Sequence, residues 1–268
     1  MMSGMFTIGE RQKRGKYMTQ EQVVNIATEI SYLMLKNGAE IYRVEQIVQF
    51  IAKAYGYEEA DCFAFLTSIV VSVVDGDKAC TRTKRVPRRG TNLNRVAELN
   101  DLSRHICRER PGYEKVKEKV EEIKKKRAYP FWMYVLMYMI ASFLFCLFFG
   151  GSVKGACYSA GIGIVVYPVQ WFADKMKTNL FIHNLLTSGV ATIFICVVYK
   201  TVYPYELHYM ITALTMNLVP GVALTHSIRD LISNELISGI ARFAEVAISG
   251  AGTAVGAFLV LSMFHLQI

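Results

Sequence analysis

Ionisable and helix-breaking residues set inside apolar sequence are where this chain could do chemistry. The stretch HYMITALTMNLVPGVALTHSIRDL (208–231) carries Asn217 and a Pro220-Gly221 pair within an apolar run. Proline removes an intrahelical hydrogen bond and glycine loosens the helix, so this spacing predicts a break in the backbone. A half-helix starting there would present free N–H groups and a positive dipole end, which suits a carboxylate in a low-dielectric medium. A simple proline kink with no ligand is the competing reading. Arg229 and Asp230 close the run, either as ligands or as interfacial charges. The next segment, SGIARFAEVAISG (238–250), places Arg242 and Glu245 three residues apart on one helical face. Charges at membrane depth are costly and so point to function. Arg242 is close enough to the boundary to snorkel, whereas Glu245 lies a turn deeper. Glu245 could carry a coupling proton, or it could pair with Arg242 as structural glue. The candidate substrate-binding set is therefore Asn217, Pro220, Gly221, Arg229, Asp230 and Arg242, with Glu245 for proton coupling. A further motif, NGAEIYRVEQ (37–46), puts Glu40, Arg43 and Glu45 at a helix start. There Glu40 suits the helix dipole, and Glu40 with Arg43 makes an i,i+3 pair.

Other chemistries find little support. GxSxG, HExxH and Cys/His clusters do not occur, and the five histidines are dispersed. A lone His226 reads more simply as a packed or interfacial residue. GAGTAVG (250–256) lacks the GxGxxG spacing and has no strand before it, so it is not a dinucleotide loop. Its Gly252 and Gly256 make a small-residue face for close helix packing, as do Gly155, Ser159 and Gly163. The six cysteines show no CxxC spacing and suggest no disulfide framework. No cofactor and no metal are expected.

The elements that must position these residues fall into two kinds. Of the 30 basic residues 24 precede Tyr129, as do 17 of the 22 acidic ones. The remainder is too poor in charge to be solvated as a globular domain, since such surfaces are roughly a quarter charged. The fold class expected is an integral membrane protein: a small cytosolic α+β domain over 19–128, then an all-α bundle of about five transmembrane helices over 129–268. Residues 1–18 lack an apolar core of signal-peptide type and read as a disordered lead-in. In the first domain, Thr19–Leu35 and Glu40–Tyr55 have helical periodicity, Thr19 with Gln22 forming a capping box. Cys62–Val74 and Lys78–Val86 are rich in β-branched residues around an Asp75-Gly76 turn. An extra strand near Phe63 is left open. Asn92–Arg108 and Tyr113–Arg127 are two more helices, separated by Pro111-Gly112. A polybasic run then meets Tyr129, Phe131 and Trp132, marking membrane entry. Apolar spans follow at Pro130–Phe149, Gly155–Phe172, Leu180–Tyr199, Leu207–Ile228 and Phe243–His265. Lys124–Arg127, Lys175, Lys177 and Arg229 would flank the inner side, against Lys154 and Lys200 outside, which puts the N-terminal domain in the cytosol. The excess of basic residues in that domain suits anionic lipid, and no nucleic acid is expected as a partner.

The segments NGAEIYRVEQ, RVPRRGTNLNRVAELN and LVPGVALTHSIRDLISNELISGIARFAEVA resemble the threonine/serine exporter family. The resemblance runs over nearly the whole chain from Thr19. It is to the short, split form related to inner-membrane proteins proposed to export dicarboxylates such as succinate. It implies a secondary exporter of small carboxylated metabolites (amino acids such as threonine and serine, or dicarboxylates) in the cell inner membrane. Long members of the family carry about twice as many spans. Because this chain ends after about five, the resemblance implies a second small membrane subunit and an oligomeric assembly. A membrane-anchored enzyme or sensor, active in its N-terminal domain, is the alternative; no nucleophile constellation supports it.

Overall fold

The computed structural model describes residues 18–126, 129–176 and 178–266. The expected lead-in lies outside them except for Met18, which is buried; Arg127 and Lys177, two of the basic flanking residues, also fall outside. The chain forms two compact units. One is built from the described residues up to 126 together with Thr225–Arg242, the other from residues 129–224 and 243–266.

In the first unit, α1 (Gln20–Lys36) starts at the Thr19–Gln22 capping box and stops at Asn37, after which Gly38 turns the chain at φ 89°. That positive φ costs glycine little and is why the helix can end so sharply. The second helix, α2 (Ile41–Ala54), follows at once. Three antiparallel strands, β1 (Glu59–Phe65), β2 (Ser68–Asp75) and β3 (Lys78–Arg85), pair in sequence order. The single strand expected over Cys62–Val74 is thus two, and the strand left open near Phe63 is β1. The turn between them, Leu66-Thr67, joins Phe65 directly to its partner Ser68 without Gly, Pro or Asn to punctuate it. On β2, Ile69, Val71 and Val73 alternate into the core, where they are fully buried beside Ile30, Met34 and Leu35 of α1. Burying such side chains contributes roughly 1.5–3 kcal/mol each and explains the β-branched period-two pattern. Helices α3 (Leu93–Glu109), capped by Asn92, and α4 (Tyr113–Lys125) complete this layer. Glu29 of α1 ties them together through ion pairs to Lys84 of β3 and Lys124 of α4.

The second unit contains α5 (Phe131–Phe148), α6 (Val153–Lys175), α7 (Leu180–Thr201) and α8 (Leu207–Met216). Two further helices, α9 (Gly221–Ile232) and α10 (Leu236–Met263), each have residues in both units. Helices α5, α6, α7 and α10 are long and apolar enough to cross a membrane, and α8 with α9 makes a fifth, broken at residues 217–220 and bent by 60°. The predicted break at Pro220 is therefore present. The fifth span begins at Leu236, seven residues ahead of its expected start. Pro168 lies inside α6 without interrupting it.

Helix α7 is patterned inside out. Its buried face holds His183, Asn184, Thr187, Ser188 and Thr192, while Leu180, Ile182, Leu186, Ile193, Phe194 and Val197 are exposed. Only an apolar surrounding makes that arrangement favourable, because in water each exposed aliphatic side chain would oppose folding. The small residues pack as expected. A Cβ added at Gly252 would stand 2.5 Å from the Phe181 carbonyl oxygen, and one at Gly256 would collide with that of Leu185. At Gly163 it would reach Ser142 Oγ at 2.9 Å. The Gly252–Gly256 face is thus occupied by α7 of the same chain.

Candidate functional site

The predicted site residues separate into a charged cluster in the first unit and a broken helix in the second. The cluster forms where the hairpin of Thr225–Arg242 meets the start of α2. Glu40 occupies the N-cap position of α2 yet makes no side-chain capping bond. It turns instead to Arg43 Nε (2.6 Å), to Arg229 Nη1 and to His226 Nε2 (3.7 Å). Its own side chain is 5% exposed, whereas Arg43 and Arg229 are half exposed. The expected Glu40–Arg43 pair is present, but as part of a four-residue network.

Asp230 lies fully buried one residue beyond Arg229, and Arg242, also buried, stands against it with Nε 3.3 Å from Oδ2. This contact is an ion pair without the in-line geometry of a hydrogen bond. The Ile41 N–H at the start of α2 faces the Asp230 carboxylate. Arg242 Nη2 donates to the Ala39 carbonyl at 3.5 Å, and the His226 ring faces that of Gly38. Ser227 Oγ closes the hairpin on itself by donating to Gly239 O at 2.9 Å. The backbone of 38, 39 and 41 is thereby lined by side chains of 226–242, with a hydrogen bond at the Ala39 carbonyl. Arg229, Asp230 and Arg242 sit in this cluster and not at a simple helix end.

Glu45 has a different part. Its Oε1 accepts the Ala64 N–H at 2.9 Å, joining α2 to β1. Burial pushes its carboxyl above the usual range; the Ala64 N–H opposes that, and Glu235 adds to it.

In the second unit, Asn217 ends α8, and its amide donates to Ser142 Oγ of α5 at 2.9 Å. Ser142 in turn donates to the Tyr138 carbonyl at 2.8 Å. Pro220 is half-buried and Gly221 exposed; no heavy atom lies within 4 Å of a Cβ built on Gly221. Space is therefore open on the side-chain side of Gly221, whose N–H donates to the Val219 carbonyl at 2.8 Å. Glu245 is exposed on α10, and Arg242, three residues before it, is turned to Asp230. Sequence reading passed over Ser142, whose only signal is a hydroxyl in an apolar run. It also passed over the role of His226, which becomes visible only when residue 40 is brought beside it.

An inside-out helix, four apolar spans and a broken fifth define a multi-pass membrane protein. The chain belongs to the ThrE threonine/serine exporter family, whose sequence model matches residues 25–264. It is 22% identical over 249 residues to the "Probable succinate transporter subunit YjjP" of Klebsiella aerogenes, covering 92% of this chain and 96% of that protein. The protein of the same description from Escherichia coli is 21% identical over 252 residues, covering 92% and 97%. A "Probable threonine/serine exporter" of Mycobacterium tuberculosis is 21% identical over 243 residues, covering 90% of this chain and 46% of that protein. No solved structure matches. The family is one of exporters and not of enzymes.

Proposed function

We propose that this chain is one subunit of a secondary exporter for small carboxylated metabolites, amino acids such as threonine and serine or dicarboxylates such as succinate. In this reading it resides in the cell inner membrane with its N-terminal α+β unit in the cytosol. The basic residues Lys124–Lys126, Lys175 and Arg229 then all flank the inner side, as the positive-inside rule requires. A second small membrane subunit works with it, a reading supported by the word "subunit" in the names of two relatives.

The observation that carries the proposal is the interrupted helix with open space in front of Gly221. A carboxylate in a low-dielectric site needs donors, and the N–H groups of 222 and 223 would supply them without a second buried cation, the Gly221 N–H being held by the Val219 carbonyl at 2.8 Å. Asn217, held by Ser142, and Pro220 fix where that half-helix begins. Arg229, Asp230 and Arg242 grip the hairpin of Thr225–Arg242 against the start of α2. Glu245, exposed on an otherwise apolar helix, takes up a proton once the neighbouring subunit covers it.

Gly221→Leu provides the test. Because a side chain there meets open space, the variant should fold and insert normally. It should nevertheless weaken apparent affinity for the exported carboxylate about tenfold or more in proteoliposomes holding both subunits. A normally inserted variant with unchanged affinity would place the substrate elsewhere.

A further inference from the structure

One ionisable pair in the membrane unit has no part in the reading above. It lies at the short turn joining α6 to α7. Asp174, near the end of α6, has its side chain 69% exposed, and its Oδ1 stands 3.1 Å from Nε2 of His183 on the first turn of α7. The His183 ring is buried. On its other side, Nδ1 lies 2.9 Å from Asn184 Oδ1.

The protonation of this ring follows from its neighbours. Asn184 Nδ2 is 3.1 Å from the Ser249 carbonyl oxygen on α10 and contacts Ser249 Oγ as well. A carbonyl can only accept, so the amide orientation is fixed and its oxygen must face the ring. Nδ1 is therefore the donor and carries a hydrogen. The Gln170 carbonyl of α6 is a further acceptor to the ring. Nε2 meanwhile faces a carboxylate oxygen, and a lone pair there would be repelled. Acceptors on both sides mean a ring holding both of its protons, as the imidazolium partner of the Asp174 carboxylate. Among the described residues, the groups packed around it are few: α6 presents Asp174 and the Gln170 carbonyl, α7 presents Asn184, and α10 the uncharged Ser249. Tyr167 of α6 also feels the Asp174 charge, while Lys175 is turned over the Trp171 ring at 3.7 Å.

We propose that Asp174 and His183 form a second proton-binding site, and that the proton it takes up is coupled to export alongside that of Glu245. Asp174, in contact with water, receives a proton and passes it to Nε2, where an N–H bond forms and the carboxylate is left as counter-ion. The loaded pair clamps the end of α6 to the start of α7. Loss of the Nε2 proton leaves a lone pair against a carboxylate and releases the clamp. The chain Asp174–His183–Asn184–Ser249 carries that change to α10, whose close packing on α7 at Gly252 and Gly256 transmits movement. The coupling role rests on the exporter reading; the proton site itself does not.

The experiment separates the two. Full-length protein labelled with 15N-histidine in lipid nanodiscs would be studied by NMR, the His183 ring being assigned as the signal missing from His183→Gln. At neutral pH that ring should show two protonated nitrogens, and in Asp174→Asn, a change at a largely exposed side chain, only one. A ring with a bare nitrogen in the wild type, or one unaffected by Asp174→Asn, overturns the proton site. In proteoliposomes, His183→Gln and Asp174→Asn should each lose proton-driven efflux by about tenfold or more while keeping substrate exchange within about twofold. PH-dependent efflux in both variants at the wild-type level overturns the coupling role. A wild type that moves no carboxylate at all defeats the exporter reading and leaves the NMR result standing.

Discussion

The Asp230–Arg242 pair allows a prediction whose sign depends on which partner is removed. Asp230→Ala leaves a buried guanidinium that cannot shed its proton. Breaking a buried pair in this way costs about 3–5 kcal/mol. Arg242→Met leaves instead a buried carboxylate, which can neutralise itself by taking a proton, so its cost should be smaller, about 2–3 kcal/mol. The pair Asp230→Leu with Arg242→Met removes both charges and should lie within about 1 kcal/mol of the wild type. With Asp230→Leu as the single variant that closes the cycle, at a cost like that of Asp230→Ala, the interaction energy is roughly 6 kcal/mol, far above the few tenths expected of independent sites. The assay is hydrogen exchange by mass spectrometry on the full-length protein in nanodiscs, read at the first turn of α2, where Asp230 meets the backbone. Faster exchange there in Asp230→Ala than in Arg242→Met, restored in the double variant, is the expected order. The reverse order, or a double variant as damaged as Asp230→Ala, would refute the argument that Asp230 serves as counter-charge to Arg242.

Three further outcomes are expected. Burial disfavours ionisation of Glu29, yet the ammonium groups of Lys124 and Lys84 outweigh it and hold its carboxyl below the ordinary value of 4.5. Its contribution is therefore complete above that pH and fades as pH falls through the lowered value. Glu29→Gln should destabilise the first unit by about 1 kcal/mol at pH 7, and thermal unfolding should show the deficit vanishing in acid. Gly256→Leu forces a side chain into the Leu185 carbonyl, so it should cost at least about 3 kcal/mol and appear as loss of folded protein in size-exclusion profiles. Ser142→Ala removes the acceptor for the Asn217 amide and should cost about 1 kcal/mol, a loss that Asn217→Leu should abolish in the double variant's melting temperature.

Much of the architecture was readable from residue order because it is set locally. The Thr19–Gln22 capping box, the Asp75-Gly76 hairpin and the break at Pro220 each depend on neighbours within a few positions. The Leu66-Thr67 turn was missed because nothing in those two residues demands a turn; β1 and β2 fold back there because pairing buries Ile69, Val71 and Val73. The membership of Thr225–Arg242 in the first unit was not legible either. Hydropathy sees Ile228, Leu231 and Ile240 and continues the membrane reading, while the contacts that decide the matter join residues 189 and 203 positions apart. Arg229 and Arg242 were found as candidates, but their partners Glu40, Ala39 and Asp230 could not be inferred from spacing.

The distance along the chain between Glu40 and Arg229 also has a consequence for biosynthesis. At roughly 5–20 residues per second, a ribosome needs on the order of 10–40 s to travel those 189 positions. Throughout that interval α1, α2 and the sheet can assemble, but the start of α2 lacks the hairpin that lines it and Glu40 lacks its partner Arg229. The nascent unit is completed only when its closing hairpin arrives, after the first spans have already been made. A fragment ending before residue 225 would preserve that unfinished state indefinitely, and its behaviour in solution would describe an assembly intermediate of this membrane protein.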